Sequence, residues 1–128
     1  MQEITSEWIG IAEGDWATAN REMAVDIDPN YKAVSFHSQQ CGEKYLKAYL
    51  QERNLKPERT HSLDYLLNRI LSYEPEWADL IEATLLLTEF AIDHRYPCTT
   101  TSEAEARESV RCAGQIRERV RRFFSLGI

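Results

Sequence analysis

Apolar residues recur at three- and four-residue steps along most of this chain, the spacing of one face of an α-helix. The predicted helices span 4–23, 31–53, a short stretch after Thr60, a fourth from Glu74-Pro75 to just before Pro97, and a last one opened by Ser102. The sequence contains no Asn-Gly or Asp-Gly turn and no sustained alternation of apolar and polar residues, so no strands are predicted. The sequence therefore predicts an all-α, up-and-down helical bundle of four long helices plus one short helix.

Two of the helices carry more detailed signals. In the first, a single apolar stripe is predicted to face the core, made of Ile4, Trp8, Ile11, Ala12, Trp16, Ala19 and Met23. In the last, Ser102 is followed three residues later by Glu105, which predicts a capping box at the helix start.

Length and composition restrict the class of protein. The chain has 128 residues, 43% apolar and 28% charged, which predicts one domain over 1–128 with a core of its own. The longest apolar run, Leu85–Leu87, is too short for a membrane span, and no secretory signal is visible. Cys41, Cys98 and Cys112 are widely spaced, which favours reduced thiols in a cytoplasmic protein. No metal site and no cofactor are expected.

The charge distribution gives a mixed indication about nucleic acids. A net charge of −6 argues against a general nucleic-acid binder. Residues 107–122 nevertheless hold six arginines against two glutamates. This segment is either a basic stripe or a solvated helix face, and the second interpretation is the more ordinary one.

Polar residues interrupt the second helix on two sides. Gln39 and Glu43 share one side with Phe36 and two leucines, whereas Gln40 and Lys44 share another with alanines and a cysteine. Polar groups buried in this way need partners. The residues are therefore either a network that satisfies itself or a polar groove for a ligand or partner.

A second candidate site lies at the end of the fourth helix, in the segment from Asp93 to Pro97. Arg95 has the fork geometry that pairs with a phosphate, and His94 beside it has the chemistry of a general base. Both are also the residue types that the dipole favours at a helix C-terminus. His61, at the start of the short helix, is by itself more typical of a capping or packing residue.

Taken in order, these segments resemble the HEPN domain family of small prokaryotic helical proteins, over about residues 5–124. The segments that carry the resemblance are Ala33–Ala48 with its Gln39-Gln40 and Glu43-Lys44, His61-Ser62-Leu63, Arg95-Tyr96-Pro97 and the last helix from Ser102. The resemblance implies an all-α homodimer, often encoded beside a minimal nucleotidyltransferase as a toxin–antitoxin pair. Many members are metal-independent RNases that use an arginine followed four to six residues later by a histidine.

This chain departs from the RNase pattern. Arg95 matches the arginine, but the window for the histidine reads Thr99-Thr100-Thr101, and threonine is not an acid or base near neutral pH. His94 lies on the wrong side of Arg95. Cys41-Gly42 also stands where the family usually has alanine.

Two main hypotheses follow, with a plain structural adaptor as a third. The first is a non-catalytic module that binds a nucleotide, a nucleotidyltransferase partner or both, with Lys44 and Arg95 on phosphate and Tyr96 stacked on a base. Its candidate binding residues are Gln39, Gln40, Glu43, Lys44, His61, Arg95 and Tyr96. The alternative is an RNase toxin acting at Arg95 of a dimer cleft, with His94 or His61 as base and RNA on the arginine stripe.

Overall fold

The described part of the chain is an all-α bundle. The structure, a computed structural model, describes residues 1–94, 97 and 99–128, with side chains for 1–90, 97 and 99–128. Its helices are α1 (Glu3–Met23), α2 (Tyr31–Glu52), α3 (Leu63–Leu71), a 3-10 helix (Pro75–Leu80), α4 (Ile81–His94) and α5 (Glu103–Phe123). The predicted fold class is confirmed. Within the described residues, no helix is long and apolar enough to cross a membrane.

The central element is α2, which packs against each of the other four α-helices. Its second half holds Tyr45, Leu46, Tyr49 and Leu50, all fully buried. A helix in contact with neighbours on every side buries polar positions together with apolar ones. Part of the polar face of α2 therefore lies inside the bundle, at Ser35, Ser38, Gln39, Glu43 and Lys47.

Side-chain caps fix the starts of three helices. Asn30 accepts a hydrogen bond from Ala33 N at 3.1 Å at the start of α2, and Ser62 caps α3. The predicted capping box of α5 is confirmed. Glu105 N donates to Ser102 Oγ at 3.1 Å, and Ser102 N donates to Glu105 Oε1 at 3.0 Å.

The fourth predicted helix divides into two elements. Residues 75–80 form a 3-10 helix, and the α-helix begins only at Ile81. Residues three apart lie on the same side of a 3-10 helix. This geometry buries Trp77 and Leu80 together against the core, each 3% exposed.

The predicted apolar stripe of α1 is wrong at Ile4 and Ile11, which are 53% and 51% exposed. The buried side of α1 includes Thr5, Ile9, Ala12 and Ala19. At 100° per residue, Ile4 and Ile11 lie about a quarter turn away from this side. Both isoleucines therefore reach the surface.

Gly42 marks the closest approach of α2 to its neighbours. A Cβ at this position would lie 2.9 Å from Leu63, 3.2 Å from Ile116 and 3.3 Å from Leu87. All three neighbouring side chains are fully buried and have little room to move. The close packing at this position thus gives a steric reason for a glycine in this chain.

We expect Gly42→Ala to lower the free energy of unfolding by about 1–3 kcal/mol, because overpacking outweighs the better helix propensity of alanine. The matched control is Gly10→Ala in α1, where an added Cβ meets nothing within 4 Å. This control is expected to raise the free energy of unfolding by about 0.5–1 kcal/mol. Urea denaturation measures both, and an equal gain in the two variants would contradict the packing argument.

Candidate functional site

The candidate site is centred on Glu43, which is fully buried in the middle of α2. Its Oε2 accepts hydrogen bonds from Lys44 Nζ at 2.8 Å and Lys47 Nζ at 3.0 Å. Its Oε1 accepts from His61 Nδ1 at 2.8 Å and Gln39 Nε2 at 3.3 Å. Gln39, Glu43 and Lys47 are four residues apart on one helix face, and His61 reaches them from just before α3.

The glutamines extend this cluster into a chain of hydrogen bonds. Gln40 Nε2 donates to Gln39 Oε1 at 2.7 Å, and Lys44 Nζ donates to Gln40 Oε1 at 3.1 Å. Gln39 Nε2 also donates to the His61 carbonyl oxygen at 3.0 Å. These polar groups satisfy one another, as the network interpretation of α2 predicts. The same contacts hold every member in one orientation.

The electrostatics of the cluster keep Glu43 ionised. Burial alone would raise the pKa of Glu43, but hydrogen bonds from Lys44, His61 and Lys47 outweigh burial and lower the pKa to about 2. An ionised carboxylate only accepts hydrogen bonds, so His61 donates through Nδ1 and keeps Nε2 for other partners. The His61 side chain is 60% exposed. Two lysines against one carboxylate leave an excess of one positive charge.

An aromatic ring of α1 completes the cluster. Lys47 Nζ lies 5.6 Å and Lys44 Nζ 5.9 Å from the ring centroid of Trp8, within the range of cation–π attraction. Sequence reasoning missed both Trp8 and Lys47 as members of the site. Lys47 follows Glu43 by four residues, and this spacing alone indicates that the two side chains can meet on one helix face. Nothing in the sequence indicates that Trp8 lies beside Lys47.

Five of the candidate residues are brought together: Gln39, Gln40, Glu43, Lys44 and His61. Arg95, Tyr96 and the side chain of His94 lie outside the described residues. The remaining histidine, His37, belongs to a different contact, in which its Nδ1 lies 2.8 Å from Asp15 Oδ1.

The six arginines of residues 107–122 are all engaged in ion pairs. Arg107, Arg111 and Arg122 pair with glutamates one turn away on α5, and Arg119 pairs with Asp79. Arg117 and Arg121 both pair with Glu13 of α1. Their charge is largely neutralised within the bundle, as expected for a structural surface.

Metal and thiol chemistry have little support in the described residues. Within them, no group of three or more histidine, cysteine or acidic side chains is placed to hold a metal ion. Cys41 and Cys112 are free and buried, and burial raises the pKa of both thiols. Cys98 lies outside the described residues.

Comparison with known proteins identifies the family. The sequence model of the HEPN domain matches residues 5–123. The chain belongs to the HEPN domain family. Comparison with curated proteins gave no match.

Two solved structures share this HEPN fold. TT1696 from Thermus thermophilus matches with a TM-score of 0.78 at 24% identity, over 94% of this chain and 98% of that one. ST0689, described as an archaeal HEPN homologue, matches with a TM-score of 0.75 at 26% identity, over 94% of this chain and 97% of that one. The resemblance drawn from the sequence is confirmed at the level of family and fold.

We expect Glu43→Gln to lower the free energy of unfolding by about 3 kcal/mol at pH 7, because it leaves the buried Lys47 and the partly buried Lys44 without an anion. The folded-state pKa of Glu43 lies below its ordinary value of 4.5. The stability that its charge contributes is therefore complete above about pH 4.5 and is lost as the pH falls towards 2. Urea denaturation of both proteins between pH 7 and pH 2 measures the effect.

The matched control is Glu118→Gln, which removes an exposed partner of Arg122 on α5. This substitution is expected to cost less than about 0.5 kcal/mol. The difference in the free energy of unfolding between the wild type and Glu43→Gln should become smaller as the pH falls from about 4.5 towards 2. A difference that stays constant down to pH 2 would show that Glu43 is not held ionised.

Proposed function

We propose that this HEPN domain is a non-catalytic binding module for a nucleotide, and that the phosphate binds at the cluster around Glu43. The observation that carries the proposal is the excess of positive charge that Lys44 and Lys47 maintain around one ionised carboxylate. We further propose a cytoplasmic homodimer that pairs with a minimal nucleotidyltransferase, as the two halves of a toxin–antitoxin system. Family membership supports this context.

The cluster has hydrogen-bond donors that its internal contacts leave available for a phosphate. Lys44 uses two of its three N–H bonds, on Glu43 and Gln40, and its side chain is 16% exposed. His61 adds an exposed imidazole whose ring is held by Glu43. Because Glu43 fixes these groups before a ligand arrives, little side-chain entropy is lost on binding. Arg95, which lies outside the described residues, stays a predicted phosphate contact, and Tyr96 stays a candidate for stacking on the base.

We expect Lys44→Ala and Arg95→Ala each to weaken nucleotide binding about tenfold or more, since each removes a charge-assisted hydrogen bond to phosphate. Isothermal titration calorimetry with nucleoside monophosphates measures the affinities. The matched control is Lys32→Ala, the same change about three turns earlier on α2, which should leave affinity unchanged. Unaltered affinity in both Lys44→Ala and Arg95→Ala would overturn the proposal.

A specific observation favours the RNase as second candidate. The contact from Glu43 Oε1 to His61 Nδ1, at 2.8 Å, orients an exposed imidazole with its Nε2 available. A carboxylate that holds a histidine in this way is the arrangement of a general base. In this candidate function, His61 would take the place of the histidine that HEPN RNases carry four to six residues after the arginine, where this chain has threonines after Arg95.

For this second candidate we expect cleavage of single-stranded RNA in EDTA that falls by about a hundredfold or more in His61→Ala and in Arg95→Ala. The matched control is His37→Ala, because His37 makes an equally short contact with a carboxylate elsewhere on the surface. Activity that survives Arg95→Ala would identify a contaminating nuclease. Intact RNA after incubation with the wild type would exclude the RNase and leave the binding module.

A further inference from the structure

An apolar groove opens directly beside the Glu43 cluster. It has a volume of about 380 Å³ and lies between α1, the end of α2 and the loop that follows α2. Its lining residues are Ile4, Glu7, Trp8, Ile11, Gln51, Lys56 and Pro57. This volume and a mostly apolar wall with a few polar groups are typical of small-molecule sites.

The groove exposes apolar surface that the bundle itself does not use. Ile4 and Ile11 remain half exposed on either side of Trp8, although they belong to the apolar residues of α1. A partly exposed indole flanked by aliphatic side chains and a proline matches a flat aromatic ligand. Covering such a surface is favourable because apolar area is removed from water.

The charges around the groove fit an anionic group at one end. The groove itself is lined by one anion and one cation, Glu7 and Lys56, so the positive excess lies with Lys44 and Lys47 at the Trp8 end. The ring centroid of Trp8 lies 5.9 Å from Lys44 Nζ and 5.6 Å from Lys47 Nζ. One tryptophan therefore contacts the apolar groove and also borders the positively charged cluster.

From this juxtaposition we propose that the groove holds the base of the nucleotide, stacked on Trp8, while its phosphate lies at the Lys44 and His61 side of the cluster. The inference rests on the proposed function and assigns the base contact to Trp8, a residue that the sequence marked only as core. A nucleoside monophosphate is the ligand class, because Trp8 offers one aromatic surface for a base and the adjacent lysines offer one group of cationic donors for a phosphate.

The test is calorimetry and tryptophan fluorescence with the four nucleoside monophosphates, and with ribose 5-phosphate as the ligand that lacks a base. We expect Trp8→Leu to weaken nucleotide binding by about fivefold or more and to abolish the quenching of fluorescence. Trp8→Phe keeps an aromatic ring and should bind within about twofold of the wild type. Urea denaturation of each variant establishes that it is folded.

Two matched variants sharpen the result. Leu85→Ala removes a half-exposed apolar side chain on α4 and should leave affinity unchanged. Tyr96→Leu tests the other aromatic candidate. A loss of binding in Tyr96→Leu with normal binding in Trp8→Leu would overturn the assignment of the base to Trp8.

The outcomes separate this inference from the proposed function. Two results would overturn the assignment of the base to the groove but would not affect the proposed phosphate site. One is unchanged nucleotide affinity in Trp8→Leu, and the other is ribose 5-phosphate that binds as tightly as the nucleotides. A wild type that binds none of the four nucleotides would overturn the proposed function and the inference together. Weaker binding in Trp8→Leu with rescue by Trp8→Phe supports both.

Discussion

The buried charge of Glu43 is the constraint on which this part of the bundle depends. An ionised carboxylate inside a protein is costly unless several donors reach it, and here two lysines, a histidine and a glutamine do so. The contact with His61 also ties the end of the α2–α3 loop to α2. Leu63, two residues later, then packs against Gly42, so the polar contact and the close packing of α3 reinforce each other.

A second, partly buried ionic contact links α1, α2 and α5 through Glu13. Burial alone would raise the pKa of Glu13, but hydrogen bonds from Arg117 and Tyr45, with the nearby charges of Arg117 and Arg121, lower it. Arg117 also lies 5.1 Å from the ring of Trp16. Buried ion pairs add little net stability, and their clearer effect is to penalise other alignments of the helices. The two clusters thus favour one alignment of α2 with its neighbours.

The sequence predicts the helices well and the site only in part. Helical period and the Ser102 capping box are local signals, so the fold class and the start of α5 follow from them. The identity of neighbours is not local. Helical periodicity shows which residues share a face of α1, but it does not show how far the neighbouring helices cover that face. The prediction that Ile4 and Ile11 lie in the core was wrong for this reason. Trp8 belongs to the site because α1 packs beside Lys44, and this contact between helices is visible only in the structure.

The pairing of charges bears on which ligand this HEPN domain suits. A polyanion such as RNA needs many cations along one surface, each on a phosphate. The six arginines of α5 are instead engaged with Glu13, Asp79 and glutamates of their own helix, in a chain of net charge −6. The Glu43 cluster keeps an excess of only one charge, beside an apolar groove. One localised charge with an aromatic surface next to it matches a single nucleotide better than a long strand, and this balance favours the binding module over the nuclease.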